Sequence, residues 1–172
     1  MFNPFRKSYS GKELNLFRYL SRIKLFEKLS YRELSLFLPY LYLREYKMDE
    51  VVYFRNDPSN ALYMVKSGKV SLNIDVGESF EQLNLIKSGA SFGENALLNN
   101  AIRLNSAIIV SERSELYVLP RVNISEIFES HRTVKAKMLE SLCEHVDETV
   151  SQVYKAYKSS YGFFSLSQVY KN

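Results

Sequence analysis

The stretch "SFGENALLNNAIRLNS", residues 91–106, sets one acid, Glu94, and one base, Arg103, nine positions apart around a single glycine, Gly93. Gly93 permits a backbone shape, or a close approach, that a Cβ would forbid. "ENALL" has the composition of a turn or two of helix, and the first N–H groups of such a turn point outward with no carbonyl to receive them. What such a segment is for depends on what surrounds it.

On both sides lie short runs rich in β-branched and aromatic residues. "LYLREY", "VVYF", "ALYMV", "KVSLNIDV" and "QLNLI" precede it, its own end continues as "LNSAIIV", and "ELYVL" follows. Turn formers separate them: "KMDE", "NDPSN", "KSG", "GES" and "KSGASFG". Seven or eight strands at this spacing predict an antiparallel sandwich or barrel, and the lack of intervening helices speaks against a doubly wound sheet. Outside the β region the period changes to three-to-four. Residues 12–41 predict two helices with a tight break near Phe26–Leu29, the second capped by Ser30 with Glu33. After Pro120, "RVNISEIFESH" predicts a short helix and residues 133–158 a long one. The narrow stripe of the long helix, through Leu139, Leu142, Val146, Thr149 or Val150, Val153 and Ala156 or Tyr157, reads as a helix–helix seam. The segments are therefore 1–41 helical, 42–120 β, 121–158 helical, and a tail over 159–172.

Composition narrows the class. Hydrophobic content of 46% and aromatic content of 14% are those of a packed globular chain. The formal charge of +4 is divided: +5 over residues 1–35, −4 over 36–150 and +3 over 151–172. Basic residues at the two ends read as solvated helical ends rather than a nucleic-acid face. Neither an N-terminal leader nor a membrane-spanning run is evident, so the expectation is a soluble, cytoplasmic protein. The single cysteine, Cys143, reads as a buried small hydrophobe beside the helical stripe. His131 and His145, fourteen residues apart, read as ordinary helix residues that cannot share a metal, which argues against a metal-dependent β-barrel enzyme.

Seen in that frame, the opening stretch has a chemistry. An outward-pointing helix N-terminus suits an anion such as phosphate, and Arg103, delivered from the start of the next strand, adds a planar charged fork for the same group. Glu94 would repel a phosphate but can accept from a ribose 2′-hydroxyl. With apolar β walls, these describe a pocket for a nucleotide monophosphate.

The segment resembles the phosphate-binding cassette of the cyclic nucleotide-binding domain family: F-G-E, then residues around A-L, then an arginine nine after the glutamate. "FGENALLNNAIR" matches at Phe92, Gly93, Glu94, Ala96, Leu97, Leu98 and Arg103. "RIKLFEKLSYREL" is similar to the family's N-terminal helical motif, "DPSNALYMVKSGKVSL" to its strand-turn-strand segment, and "ELYVLPRVNISEIF" to its last strand and hinge helix. Gly68 and Gly89 stand at family turn glycines, while Asp49 and Asn56 replace two others with residues that tolerate left-handed backbone.

The resemblance implies an eight-stranded antiparallel β-roll, a jelly roll or double-stranded β-helix, with helices at both ends. It further implies that Glu94 takes the ribose hydroxyl and Arg103 the cyclic phosphate, with backbone near Ala96 and Leu97 assisting. The implied ligand contacts run through Phe92, Gly93, Glu94, Asn95, Ala96, Leu97, Arg103, Leu104, Asn105 and Ser106. Ser106 fits the family's small hydroxyl. Leu104 stands where a small residue is usual: it argues against guanine recognition, and either projects inward to crowd the pocket or turns into the core. Asn105 stands where Ala is common. Tyr154 or Tyr157 is a further candidate to cap a base.

The expectation is thus a stand-alone, non-enzymatic cyclic nucleotide sensor. Its ligand is most simply cyclic AMP, its signal passes through helices 121–130 and 133–158, and the long helix pairs with its twin in a homodimer. The fourteen residues after 158 are too few for a trihelical DNA reader. No metal or further cofactor is implied, and a downstream protein partner is. The alternative is a module of the same shape without a ligand, acting as a dimerising or partner-binding scaffold.

Overall fold

Each N-terminal helix begins at a serine that exchanges hydrogen bonds with a glutamate three residues on. The Ser10 hydroxyl accepts from the Glu13 N–H, and the Glu13 carboxylate accepts from the Ser10 N–H at 2.7 Å, opening α1 (Gly11–Leu20). The same box at Ser30 and Glu33 opens α2 (Tyr31–Leu34). These reciprocal bonds satisfy donors that a helix start leaves orphaned. The computed structural model describes residues 8–76 and 79–161.

The two helices predicted over 12–41 are shorter than the periodicity implied. Single 3-10 turns occupy Lys24–Phe26 and Leu38–Tyr40, and α2 has only four residues. Pro39 lies in the second 3-10 turn, where it has no N–H to continue an α-helical ladder. The apolar period survives because it serves burial: Phe17, Leu20, Ile23, Leu25, Phe26, Leu34 and Phe37 are all buried.

Eight strands follow: β1 (Tyr42–Lys47), β2 (Val51–Tyr53), β3 (Ala61–Ser67), β4 (Lys69–Val76), β5 (Ser79–Lys87), β6 (Ser91–Phe92), β7 (Ser106–Ile109) and β8 (Arg113–Pro120). They form two four-stranded sheets, ordered β1-β8-β3-β6 and β2-β7-β4-β5, with every pairing antiparallel. This is the expected eight-stranded jelly roll. Only β6 was missed, because two residues carry no period. Asp49 and Asn56 adopt φ of 67° and 69°, the left-handed turns that the resemblance required of them, and Asn100 does the same at 55°. Val65, Val70, Phe92, Ala107, Ile109 and Leu116 fill the space inside the roll.

A second core lies between the roll and the helices. α3 (Arg121–Ser130) and α4 (Arg132–Tyr161) complete it, contributing Ile124, Ile127, Phe128, Val134, Met138 and Leu142. α4 is then held from the side by charge. Lys28 Nζ lies 2.8 Å from Glu140 and 2.5 Å from Glu144, Lys24 lies 3.1 Å from Glu148, and Lys137 reaches Glu33 at 2.8 Å. Two lysines of the basic N-terminal segment are therefore partners of α4 and not simply a solvated end. Solvent screens pairs of this kind so that each contributes little, but three acids at i, i+4 and i+8 fix which side of α4 faces the N-terminal turns.

From residue 146 to 160 every position of α4 is exposed. Cys143 is exposed too, contrary to the sequence expectation. It follows Leu142 directly, and one residue turns a helix by about 100°, away from the core. The tail beyond Tyr161 lies outside the described residues. Among the described residues no helix is long and apolar enough to cross a membrane.

Two substitutions on α4 check this packing. Met138, fully buried, should cost about 2–5 kcal/mol of stability on truncation to Ala. Cys143→Ser should stay within about 0.5 kcal/mol of wild type, as surface changes do. Denaturant titration measures both, and Ellman's reagent should react with Cys143 without unfolding.

Candidate ligand-binding site

The cassette is divided between the two cores. Phe92, at the end of β6, is buried in the roll and stacks on Tyr63 with ring centroids 5.1 Å apart. Ala96 and Leu97 are buried in the helical core. Between them, Gly93 takes φ of 75° and caps a single 3-10 turn, Glu94–Leu97, shorter than the one or two α-helical turns the sequence offered. The Ala96 N–H donates to the Gly93 carbonyl at 3.0 Å, so that donor serves the turn itself and does not face outward. A Cβ on Gly93 would lie 2.4 Å from Nη1 of Arg103, so the glycine is required by contact as well as by conformation.

Arg103 is the best-anchored residue of the site. It lies three positions before β7, and its backbone N–H donates to Asp57 at 2.8 Å while its carbonyl accepts from Asn56 at 2.9 Å. The side chain is only 2% exposed. Nη1 donates to the Gly93 carbonyl at 3.1 Å and to Asn95 Oδ1 at 3.2 Å, and Nη2 donates to the Ala61 carbonyl at 2.6 Å. Its carbon Cζ sits 4.1 Å from the Tyr53 ring centre and 5.6 Å from that of Tyr63, both within cation–π range. Nε is buried without a partner. Among the described residues no carboxylate lies within ion-pair distance of this guanidinium. Burial draws its pKa below the ordinary arginine value, against the opposing influence of Tyr53, Tyr63 and Glu94, and burial pushes the Tyr53 hydroxyl up.

Above Arg103 is a cavity of about 400 Å³. Of the residues expected to touch a ligand, Gly93, Glu94, Asn95, Arg103, Leu104 and Asn105 line it. Phe92, Ala96, Leu97 and Ser106 do not. The first three are buried in the cores, and Ser106 uses its hydroxyl to accept from the Arg55 N–H at 2.9 Å. Glu94 Oε1 accepts from Ser91 at 3.0 Å, and Asn105 Oδ1 accepts from the Tyr53 hydroxyl at 3.2 Å. Leu104 is 72% exposed at the rim, so it neither crowds the interior nor joins the core.

The roof of the cavity is α4, through Leu142, His145, Val146, Thr149 and Val150. Two sequence expectations change here. His145 is a wall of the site and not an ordinary helix residue, and the first part of the supposed helix–helix seam covers the cavity. Tyr154 and Tyr157 lie further along α4 and are not in its lining. Tyr53, Leu72 and Leu98 complete the lining and were not anticipated. The spacing 142, 145/146, 149/150 was legible as one helical face, but a period does not say what that face covers.

Residues 43–131, just over half of the chain, match the family model for the cyclic nucleotide-binding domain. The chain is similar to the cyclic AMP receptor protein of Thermus thermophilus, 38% identical over 98 residues, which are 56% of this chain and 45% of that protein. The match thus spans less than half the length of this relative. Among solved structures, it is similar to the Thermus thermophilus catabolite activator protein, with a TM-score of 0.64 and 29% identity over 77% of this chain and 62% of that one. It is also similar to the regulatory domain of Toxoplasma gondii PKA crystallised with cAMP, with a TM-score of 0.63 and 25% identity over 70% of this chain and 46% of that one. With the jelly roll from Leu43 onward, the glycine-capped cassette and its arginine inside the matched segment, the chain belongs to the cyclic nucleotide-binding domain family.

Proposed function

We propose that this regulatory domain is a sensor that binds cyclic AMP in the cavity beneath α4 and passes its occupancy on through α3 and α4. The observation that carries the reading is that, among the described residues, Arg103 has no counter-ion. A guanidinium stays charged in proteins, and a buried charge ordinarily has an ionic partner, because leaving it unpaired costs several kcal/mol. Here the acceptors are two carbonyls, one amide oxygen and the faces of two tyrosines, all neutral. A cyclic phosphate entering the adjoining cavity supplies the absent negative charge.

The rest of the site suits the remainder of such a ligand. One oxygen of Glu94 is held by Ser91, and the other is available to a ribose hydroxyl. Leu142, Val146 and Val150 present an apolar surface from α4 to a base. Phosphate capture would turn the guanidinium away from the Gly93 and Ala61 carbonyls, and the cassette turn would follow. Because Ala96 and Leu97 are packed in the same core as α3 and α4, a shift there biases how the lid helix sits.

The exposed end of α4 favours a second copy as a partner. Val153, Tyr154 and Tyr157, beyond the cavity lining, share one side of the helix and are 39–58% exposed. Two such stripes would bury one another in a helix pair.

Calorimetric titration with cyclic AMP and cyclic GMP tests the ligand. Arg103→Ala removes a charge-assisted fork worth about 2–3 kcal/mol, so affinity should fall about 30- to 150-fold. Arg103→Lys keeps the charge, loses the fork and should fall between the two. Unchanged affinity in a folded variant would sink the assignment. Leu104→Ala, at an exposed rim position, should shift stability by less than about 0.5 kcal/mol and affinity by less than about threefold, read by thermal melting and titration. Val153→Glu lies outside the cavity lining. It should convert a dimer to a monomer in light scattering while cyclic AMP affinity is retained.

A further inference from the structure

We infer that Ser59, a residue outside the cavity, positions Arg103 for its ligand by holding the side-chain oxygen of Asn95, so that the guanidinium can leave that oxygen without orphaning it. This rests on the sensor reading above and adds to it a residue that the ligand itself does not touch.

Ser59 is 1% exposed and precedes β3, next to Pro58, which bridges to Ile102. Its N–H donates to the Ala101 carbonyl at 2.9 Å, and two residues earlier the Asp57 carbonyl accepts from the Arg103 N–H at 2.8 Å. Backbone bonds therefore fix Ser59 alongside the segment that delivers Arg103. From there its hydroxyl donates to Asn95 Oδ1 at 2.7 Å. The amide nitrogen of Asn95 donates in turn to the Ile102 carbonyl, so both ends of the amide are held and its oxygen is directed at the guanidinium. Ser59 does not line the cavity.

Asn95 Oδ1 thus accepts twice, from Ser59 at 2.7 Å and from Arg103 Nη1 at 3.2 Å. When Nη1 turns toward a phosphate the longer bond is given up and the shorter one stays. The other acceptor of Nη1 is arranged in the same way: the Gly93 carbonyl accepts from Nη1 at 3.1 Å and from the Ala96 N–H at 3.0 Å. An amide oxygen has two lone pairs, and leaving such a group with no donor costs more than an ordinary hydrogen bond contributes. Each acceptor of Nη1 keeps a second donor, so this nitrogen can leave both at low cost. A phosphate, being an acceptor itself, cannot replace a missing donor on Oδ1. Without the Ser59 hydroxyl the half-buried Oδ1 depends on Arg103, the resting arrangement is favoured over the bound one, and affinity falls.

The test is a double-mutant cycle read by calorimetric titration of the full chain with cyclic AMP. Ser59→Ala should weaken binding about three- to tenfold. In an Asn95→Leu background there is no oxygen to orphan, so adding Ser59→Ala should change affinity by less than about twofold. A serine that merely braced its loop would weaken binding to the same degree in both backgrounds. Ser59→Cys, of similar size with a weak S–H donor, should fall between wild type and the alanine variant, and it carries the same cycle should the alanine variant not fold. Equal losses in the two backgrounds, or no loss on Ser59→Ala in a folded protein, overturn the inference while the sensor reading stands. If the wild-type chain binds no cyclic nucleotide, the sensor reading fails and this one fails with it.

Discussion

A guanidinium enclosed by neutral acceptors is the constraint on which the rest of this structure depends. Arg103 reaches the Ala61 carbonyl at the start of β3, the Gly93 carbonyl at the end of β6 and the Asn95 side chain in the cassette turn, so one side chain ties three segments together. Gly93 has no Cβ because the guanidinium occupies that space. Tyr53 and Tyr63 lie beside it because their ring faces partly offset the cost of burying charge. The arrangement is self-consistent, yet among the described residues no carboxylate pairs with its charge.

The fold places this group at a boundary between two hydrophobic cores. Tyr53, Val65 and Phe92 belong to the roll, and Ala96 and Leu97 to the helical layer, with Arg103 beside the one glycine that joins them. The lid is fixed from the opposite direction. Its acids at 140, 144 and 148 lie over Lys24 and Lys28, which leaves Leu142, Val146 and Val150 to face the cavity. The geometry of the roof is thus specified by residues more than a hundred positions away in sequence.

That distance explains what could be read from the chain and what could not. The strands were legible because period-2 runs are bounded by turn formers, and the cassette because its glycine, acid and base occupy one short segment. Asp49 and Asn56 were legible as left-handed positions for the same local reason. β6 was not, since two residues have no period, and the short N-terminal helices were overextended because burial alone maintained their spacing. In the site, the order of residues named the floor and the long helix as its cover, but not which residues of that helix form the roof. Leu142 and Val146 carry the same helical period whether they face a ligand, a core or a second helix. Nor could local reading show that Leu104 turns outward from the loop before β7, or that Cys143 sits on the solvent side and His145 forms a wall, which depend on how α4 is rotated.

Dividing one cassette between two cores also bears on how the protein comes apart. Ala96 and Leu97 cannot leave the helical layer without pulling on Gly93, and through it on the guanidinium that holds β3 to β6. Local opening of the helical layer therefore pulls on the cassette, and the two should behave as a single foldon in native-state hydrogen exchange. The distal turns of α4, exposed along their length, should exchange independently and faster. The amides of the cassette and those that report on the stability of the helical layer would then be, in large part, one set.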